Sequence, residues 1–384
     1  MKTFTWERGP FFNCHNCSEK TFGLLRAGGQ SLTMRCSKCR FTYDEDLPPL
    51  NKKVIYLDQF VFSLLFNVES GGPLHRGHEG FAKELHDRLR RLVSLQQIIL
   101  PHSDIHRDET ILFHSPVDLR AAYEFIGGDA QFVDTDEVEL NQTMDAAEAF
   151  LTNKSLNLNL LVDQVLEERR NEWLPDMHIS VRADYSSFAE NLRRRRDQTH
   201  SGMEKLAAKW AKERPSFKDV LQNEFNLIMS AKVGALPTSA PVQHEAHALS
   251  RLFAERGVPV DQVGQAVRDF WSSKICRDLP HHRISSYLFA AVARRVVQGQ
   301  KTVINRGLMN DIRAIACYAP YVDAMFVDKT SEQLMHERPL IDDLKYKALI
   351  FSFSNRDAFL AYLDEIEAAT PPDVKEFASR IYGI

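Results

Sequence analysis

Residues Lys52 to Asn67 read KKVIYLDQFVFSLLFN. From Lys53 to Leu57 the side chains are mostly β-branched, aromatic or aliphatic, the signature of a short buried strand. After Asp58 the chain continues as an apolar helix. The aspartate therefore stands where a strand hands over to a helix, and strand ends in α/β sheets face the crevice in which ligands sit.

The same order recurs on either side of a long polar middle. QQIILPHSDIHRDETILFH, Gln96 to His114, reads as a second buried strand that breaks at Pro101 and runs into a helix. Between the two lies a helix from Phe81 to about Leu95. Strand, helix, strand, helix predicts an α/β domain with a parallel sheet flanked by helices. From about Val138 to Gly257 strand-like runs disappear. Stretches such as LNLLVDQVLEERRNEW and FAENLRRRRDQTHSGMEKLAAKWAKER are rich in helix formers, so a central helical insertion is expected there. DQVGQAVRDFWSSK and RISSYLFAAVARRVVQG resume as amphipathic helices. AMFVD (Ala324–Asp328) and ALIFSFSN (Ala348–Asn355) read as closing strands, followed by a helical pair ending at Tyr382. The predicted units are 1–48, a small cysteine-bearing module; 52–137, the first half of the α/β domain; 138–257, the insertion; and 258–384, the second half with the C-terminal helices. DLPPLNKK, with two prolines and no periodicity, reads as the linker between the first two.

At 384 residues, with 44% hydrophobic and 26% charged residues, the chain has the composition of a globular protein of two or three domains. A formal net charge of −4 gives no global attraction to nucleic acid, so any such partner must be met by local basic patches. No apolar run approaches the ~18 residues of a membrane span, and a cytoplasmic protein with no membrane partner is expected.

Four of the six cysteines form two pairs, Cys14-x-x-Cys17 and Cys36-x-x-Cys39, with eighteen residues between them. Each turn offers two thiolates at the bite a tetrahedral Zn²⁺ requires. The module reads as a zinc ribbon, and four protein ligands make its zinc structural rather than catalytic. Around it stand Lys20, Arg26, Arg35, Lys38 and Arg40 with Phe11, Phe12, Phe22, Phe41 and Tyr43. Such a mixture suits a nucleic-acid platform, and equally the packing of a tiny domain. Cys276 and Cys317 read as isolated buried thiols.

The carboxylates carry the chemistry. Asp58 ends one strand and Asp328 another. Asp323 begins the strand that Asp328 ends, Asp311 lies early in a helix, and Glu109 lies one turn into the helix after the second strand. Asp104 or Asp108 is the expected cap of that helix. If the sheet gathers these positions, like charges crowd one cleft and raise one another's pKa. Mg²⁺ or Mn²⁺, which choose hard oxygen ligands, would relieve the crowding and serve phosphodiester hydrolysis.

In these motifs the chain resembles the PIN-like nuclease superfamily. VIYLDQF, ending in Asp58, is similar to the opening strand of that family. Glu109 in SDIHRDET matches its acidic residue in the helix after the next strand. NDIRAIACYAPYVDAMFVDK resembles its closing segment, with Asp311 and Asp328 as the paired acids and Asp323 as an extra one. The likeness spans residues 52 to about 135 and 280 to 355, and leaves the ribbon and the insertion outside it. It implies a PIN-like sheet, catalytic Mg²⁺ or Mn²⁺ held by Asp58, Glu109, Asp311 and Asp328, with Asp323 supporting. The implied activity is hydrolysis of single-stranded RNA, less often structured DNA, by a water nucleophile. Toxins and defence effectors, restrained by a protein partner or inhibitor, are among the roles it implies.

Arg193, Arg194, Arg195 and Arg196 open a basic helical stretch that reads either as a solvated face or as a surface guiding phosphates to the acidic cleft. His106, three residues before Glu109, would face the same cleft and touch substrate phosphate. QHEAH at Gln243–His247 does not have the zincin spacing. That stretch, the HRGH loop at 75–78 and the pair His281–His282 are the remaining candidates for a second metal site. The expected function is a Mg/Mn-dependent endoribonuclease. The alternatives are a non-catalytic zinc-ribbon adaptor for nucleic acid or protein, and a metal-dependent phosphatase of small nucleotides.

Overall fold

The computed structural model describes residues 11–27, 29–74, 77–113, 116–128, 130–173, 186–300 and 303–382. Its centre is a four-stranded parallel sheet in the order β5-β4-β6-β7, formed by β4 (Lys53–Leu57), β5 (Ile98–Ile99), β6 (Ala324–Phe326) and β7 (Leu349–Phe351). Three strands β1 (Phe22–Ala27), β2 (Ser31–Cys36) and β3 (Thr42–Asp46) make a separate antiparallel sheet at the N-terminal side of the chain.

Alternation along β4 and β6 separates two cores. Ile55, Leu57, Ala324 and Phe326 pack with helices Gln59–Ser70, Glu79–Ser94 and Arg356–Ala368 on one face. Val54, Tyr56, Met325 and Val327 pack with Pro280–Val297 and Leu308–Tyr318 on the other. Both faces are covered, as a parallel sheet requires. Ile55 pairs with Ala324 and Leu57 with Phe326, which sets the ends of β4 and β6 side by side. From β4 the chain moves to β5 on one side, and after the helices it returns to β6 on the other. The crevice outside the carboxyl ends of β4 and β6 is therefore the topological switch point, where open α/β sheets bind ligands.

Three expectations change. The middle of the chain is not set off at residue 257. Helices Thr135–Leu151, Ala240–Glu255 and Val260–Ser272 share a core of Ala146, Phe253, Phe270 and Trp271 that runs on to Leu279, while Met203, Trp210 and Val220 belong to the core under the sheet. The helical layer thus extends through Tyr318, and the strands resume only at β6. Within it, LNLLVDQVLEERRNEW is not a helix. Val162–Val165 is one 3₁₀ turn, and Leu166 bridges to Phe132. Its apolar residues Val162, Val165 and Leu166 are buried in the sheet's core, so tertiary burial overrides helix propensity.

The linker DLPPLNKK is a packed joint. Leu47 and Leu50 are buried with Leu95, Trp173, Val374 and Phe377. Trp173 donates its indole N–H to the Pro48 carbonyl (2.6 Å) and its backbone N–H to Gly29 (2.9 Å). Lys52 donates to the Glu172 carbonyl at 2.6 Å. The ribbon is thereby fastened near the start of β4, at the opposite end of the sheet from the crevice. Trp173→Ala is expected to cost about 3–5 kcal/mol, the range for deleting a buried large aromatic, and to detach the ribbon. Urea melts should then show an early transition before the main one; a single transition at the wild-type midpoint would contradict the joint.

Candidate functional site

At the ribbon, Cys14 Sγ lies 3.6 Å from Cys39 Sγ and Cys17 Sγ lies 3.6 Å from Cys36 Sγ. All four ligand atoms fall within 4.8 Å of one another, and none is in a disulfide. Zn–S bonds of about 2.3 Å in a tetrahedron put sulfurs about 3.8 Å apart, so the group fits zinc. The two turns repeat one geometry. Ser18 and Arg40, each just after the second cysteine, adopt φ of 60° and 61°; Ser18 N–H bonds to the Cys14 carbonyl and Arg40 N–H to that of Cys36. Of the ribbon's aromatics, Phe22 is buried and packs with Phe12 and Phe41 around the cysteines. Phe11 and Tyr43 are exposed. Leu24, Met34 and Tyr43 are aligned across the three strands.

The second cluster lies at the crevice. Asp58 follows β4 and caps the next helix, its Oδ1 accepting the Gln59 N–H at 2.6 Å. Asp328 follows β6 and caps Lys329–Met335, accepting the Ser331 N–H at 2.8 Å and its hydroxyl at 3.2 Å. Asp311 stands in the first turn of Leu308–Tyr318. Glu109, in helix Asp104–Ile111, accepts a 2.9 Å hydrogen bond from Asn310 Nδ2. All four are half-buried, and among the described residues none forms an ion pair with Lys, Arg or His.

Their charges act on one another. Burial first, then Glu109 and Asp328, push the Asp58 carboxyl up to about 8. Asp311 is held well above the usual carboxylate range by burial, by Asp58, Asp328 and Glu109, and by a hydrogen bond with Asp328. Burial also raises Glu109, offset by Asn310 and by the charge of Arg196. The carboxylates are spread more widely than the thiols: among the described residues only the cysteines bring three or more ligand atoms within 4.8 Å. An ion held there would be bound by one or two of these carboxylates and would keep several of its waters, the coordination Mg²⁺ adopts.

Asp323 stands apart. It precedes β6, at the other end of the strand from Asp328. Its Oδ2 accepts the Val54 N–H at 2.9 Å, and its Oδ1 lies 3.1 Å from Lys347 Nζ and 3.5 Å from that of Lys53. In a parallel sheet only carboxyl ends meet at the crevice, so Asp323 ties the opposite end together instead. His106 is also removed from the site. It is 1% exposed; its Nδ1 accepts the Ser103 N–H at 3.0 Å, which places the proton on Nε2, donated to the Leu57 carbonyl at 2.8 Å. Both ring nitrogens are used to brace β4, and none is left for a phosphate. The cap of its helix is Ser103 rather than Asp104 or Asp108. Asp104 instead accepts the Thr135 hydroxyl at 2.6 Å.

Arg193 to Arg196 lie near the start of helix Ala189–Glu213, the first three exposed and Arg196 half-buried. Two features of the crevice had no sequence signal. Asn310 is a polar residue beside Asp311 with no periodic mark. Gln59, next to Asp58, accepts from the Tyr123 hydroxyl and donates to Thr110 Oγ1 at 3.4 Å, bracing the Asp58 helix against that of Glu109.

Of the other metal candidates, positions 75 and 76 of the HRGH loop lie outside the described residues; the rest are structural. Glu245 of QHEAH is buried, bound to Lys232 Nζ at 2.7 Å and to Trp271 Nε1 at 2.8 Å, while His244 and His247 are exposed. His281 bonds Gln142 and His282 donates Nδ1–H to the Cys276 carbonyl at 2.9 Å. Burial, then the Lys232 charge, hold His282 down to about 3. Unfolded, it binds a proton below about 6.5. Its contribution to stability is thus complete above that pH and lost as pH falls toward 3, at up to about 1.4 kcal/mol per pH unit. His282→Asn, which keeps an N–H donor without titrating, should therefore cost less stability at pH 4.5 than at pH 7.5 in denaturant melts. An equal cost at both would contradict this.

No described helix is long and apolar enough to cross a membrane. Compared with protein-family models, with curated proteins and with solved structures, the chain matches none.

Proposed function

We propose that the crevice is a divalent-cation site for phosphodiester hydrolysis on a PIN-like domain, and that the protein is a Mg²⁺- or Mn²⁺-dependent endonuclease of single-stranded RNA. One observation carries the reading: four half-buried carboxylates, Asp58, Glu109, Asp311 and Asp328, meet at the topological switch point with no cationic side chain among the described residues paired to them. Such an arrangement costs stability unless a cation completes it. Bound there, the ion supplies neutralisation of the scissile phosphate and acidification of a water. The chain's own part is positional. Helix caps fix the Asp58 and Asp328 carboxylates, Asn310 fixes Glu109, and the basic start of helix Ala189–Glu213 draws a polyanion toward an otherwise acidic mouth. Preference for RNA over DNA follows the motif resemblance.

A second reading has its own observation. The exposed Leu24 and Tyr43, aligned on either side of the half-buried Met34, and the ribbon's remote position suit a module that binds nucleic acid or protein independently of the crevice. The deciding experiment uses zinc-loaded protein dialysed free of other divalent ions, with labelled single-stranded RNA, single-stranded DNA and a mononucleotide. Cleavage of RNA only when Mn²⁺ or Mg²⁺ is added is the expected result. Hydrolysis of the mononucleotide alone would make it a phosphatase, and a gel shift without cleavage would favour the adaptor.

A further inference from the structure

The four arginines are not equivalent. Arg193, Arg194 and Arg195 are exposed, whereas Arg196 turns inward. Its Nε donates to the Arg306 carbonyl at 3.3 Å, one residue before Gly307, the cap of the helix that carries Asp311. Arg306 in turn pairs with Asp197 at 3.3 Å. These two contacts fasten the basic helix to the rim of the crevice. They use only one nitrogen of the Arg196 guanidinium; its two terminal nitrogens have no partner among the described residues.

The rim leads straight to the acids. Gly307 caps the helix that carries Asn310 and Asp311, and Asn310 Nδ2 donates to Glu109 at 2.9 Å. Among the described residues Arg196 forms no ion pair with these acids. A guanidinium held at the rim of an acidic crevice, with its planar fork unclaimed, is arranged to grip two oxygens of one anion beside the carboxylates. Phosphate is the anion whose geometry matches.

We infer that Arg196 is the residue that grips a backbone phosphate of the bound strand beside the carboxylates. Arg193 and Arg194 add only outer electrostatic attraction. The inference rests on the crevice being where the strand is cut. A purely structural Arg196 would act through the Arg306 carbonyl alone, and lysine separates the two roles, because it keeps the charge but not the Nε–H bond.

The test compares Arg196→Ala, Arg196→Lys and the double variant R193A/R194A with wild type. It reads kcat and KM on a single-stranded RNA oligomer, and oligomer binding by anisotropy over a salt series without added divalent ion. Arg196→Ala should lower kcat/KM about 100-fold, the scale for losing one charge-stabilising donor, and weaken binding with a salt slope smaller by about one ion. Arg196→Lys should recover at least a tenth of wild-type kcat/KM. R193A/R194A should act mainly on KM, by less than about tenfold. Equal loss in Arg196→Ala and Arg196→Lys, or a larger loss in R193A/R194A, would overturn the inference. If wild type cuts nothing, the hydrolytic reading fails, and binding alone decides the role of Arg196: loss in the alanine variant with recovery in the lysine variant sustains it, and unchanged binding overturns it.

Discussion

Asp58→Asn is expected to lower divalent-dependent RNA cleavage by about 10³-fold, the upper end for removing one preorganised electrostatic group, without loss of fold. The two effects separate because the carboxylate is costly in the metal-free protein. Burial and neighbouring acids push its pKa up to about 8, so near neutral pH it is already largely protonated. Asparagine is an equally good helix cap and can accept the same Gln59 N–H bond. It also takes away a carboxyl whose charge, when it ionises, helps to raise Asp311. The melting temperature without added divalent ions should therefore hold or rise, while the stabilisation that Mn²⁺ confers on wild type should shrink. Asp323→Asn is the matching control. It weakens contacts to Lys53 and Lys347, at about 1–3 kcal/mol for a disturbed charged hydrogen bond, yet it should cleave as wild type does per folded molecule. Retention of more than a tenth of wild-type activity in Asp58→Asn, or an Asp323→Asn as inactive as it, would overturn the assignment.

The second large effect is at the ribbon. Cys36 is fully buried, accepts hydrogen bonds from Thr21 and the Cys39 N–H, and supplies one of four thiols. Cys36→Ser should abolish stoichiometric zinc and unfold the ribbon, because binding free energy of about 10–16 kcal/mol is folding free energy in such small metal modules. The joint then opens: Trp173, 3% exposed, should shift its fluorescence to the red. Zinc by mass spectrometry should fall from one per chain to none while the helical circular dichroism persists. Cleavage should change by less than about fivefold, since the ribbon sits at the opposite end of the sheet from Asp58. Wild-type protein without zinc, or a variant with native Trp173 fluorescence, would contradict the assignment.

Much of this arrangement could be read from short apolar runs. VIYL and AMF are recognisable as buried strands because residues packed on both faces leave no polar alternation, and each run is followed at once or one residue later by an acid, Asp58 or Asp328. Helices Val260–Ser272 and Pro280–Val297 carry their period openly. The errors have physical causes. Asp323 and Asp328 flank the same three-residue strand, and only strand direction within the parallel sheet separates the one at the crevice from the one at the far end. His106 has the right spacing to share a face with Glu109, but the capping box with Ser103 turns its ring back onto Leu57. The segment around Val162 has helix-forming composition, yet its apolar side chains are claimed by the sheet's core and Trp173 by the joint. Such long-range claims leave no local mark, and the same holds for Asn310 and the inward turn of Arg196.

The most direct measurement is an anomalous-difference map from crystals of zinc-loaded protein soaked in Mn²⁺, with data on both sides of the manganese edge. The predicted result is a manganese peak among Asp58, Glu109, Asp311 and Asp328, distinct from the zinc peak at the four cysteines. Ordered Mn²⁺ elsewhere, with those four carboxylates left empty at saturating concentration, would contradict the account.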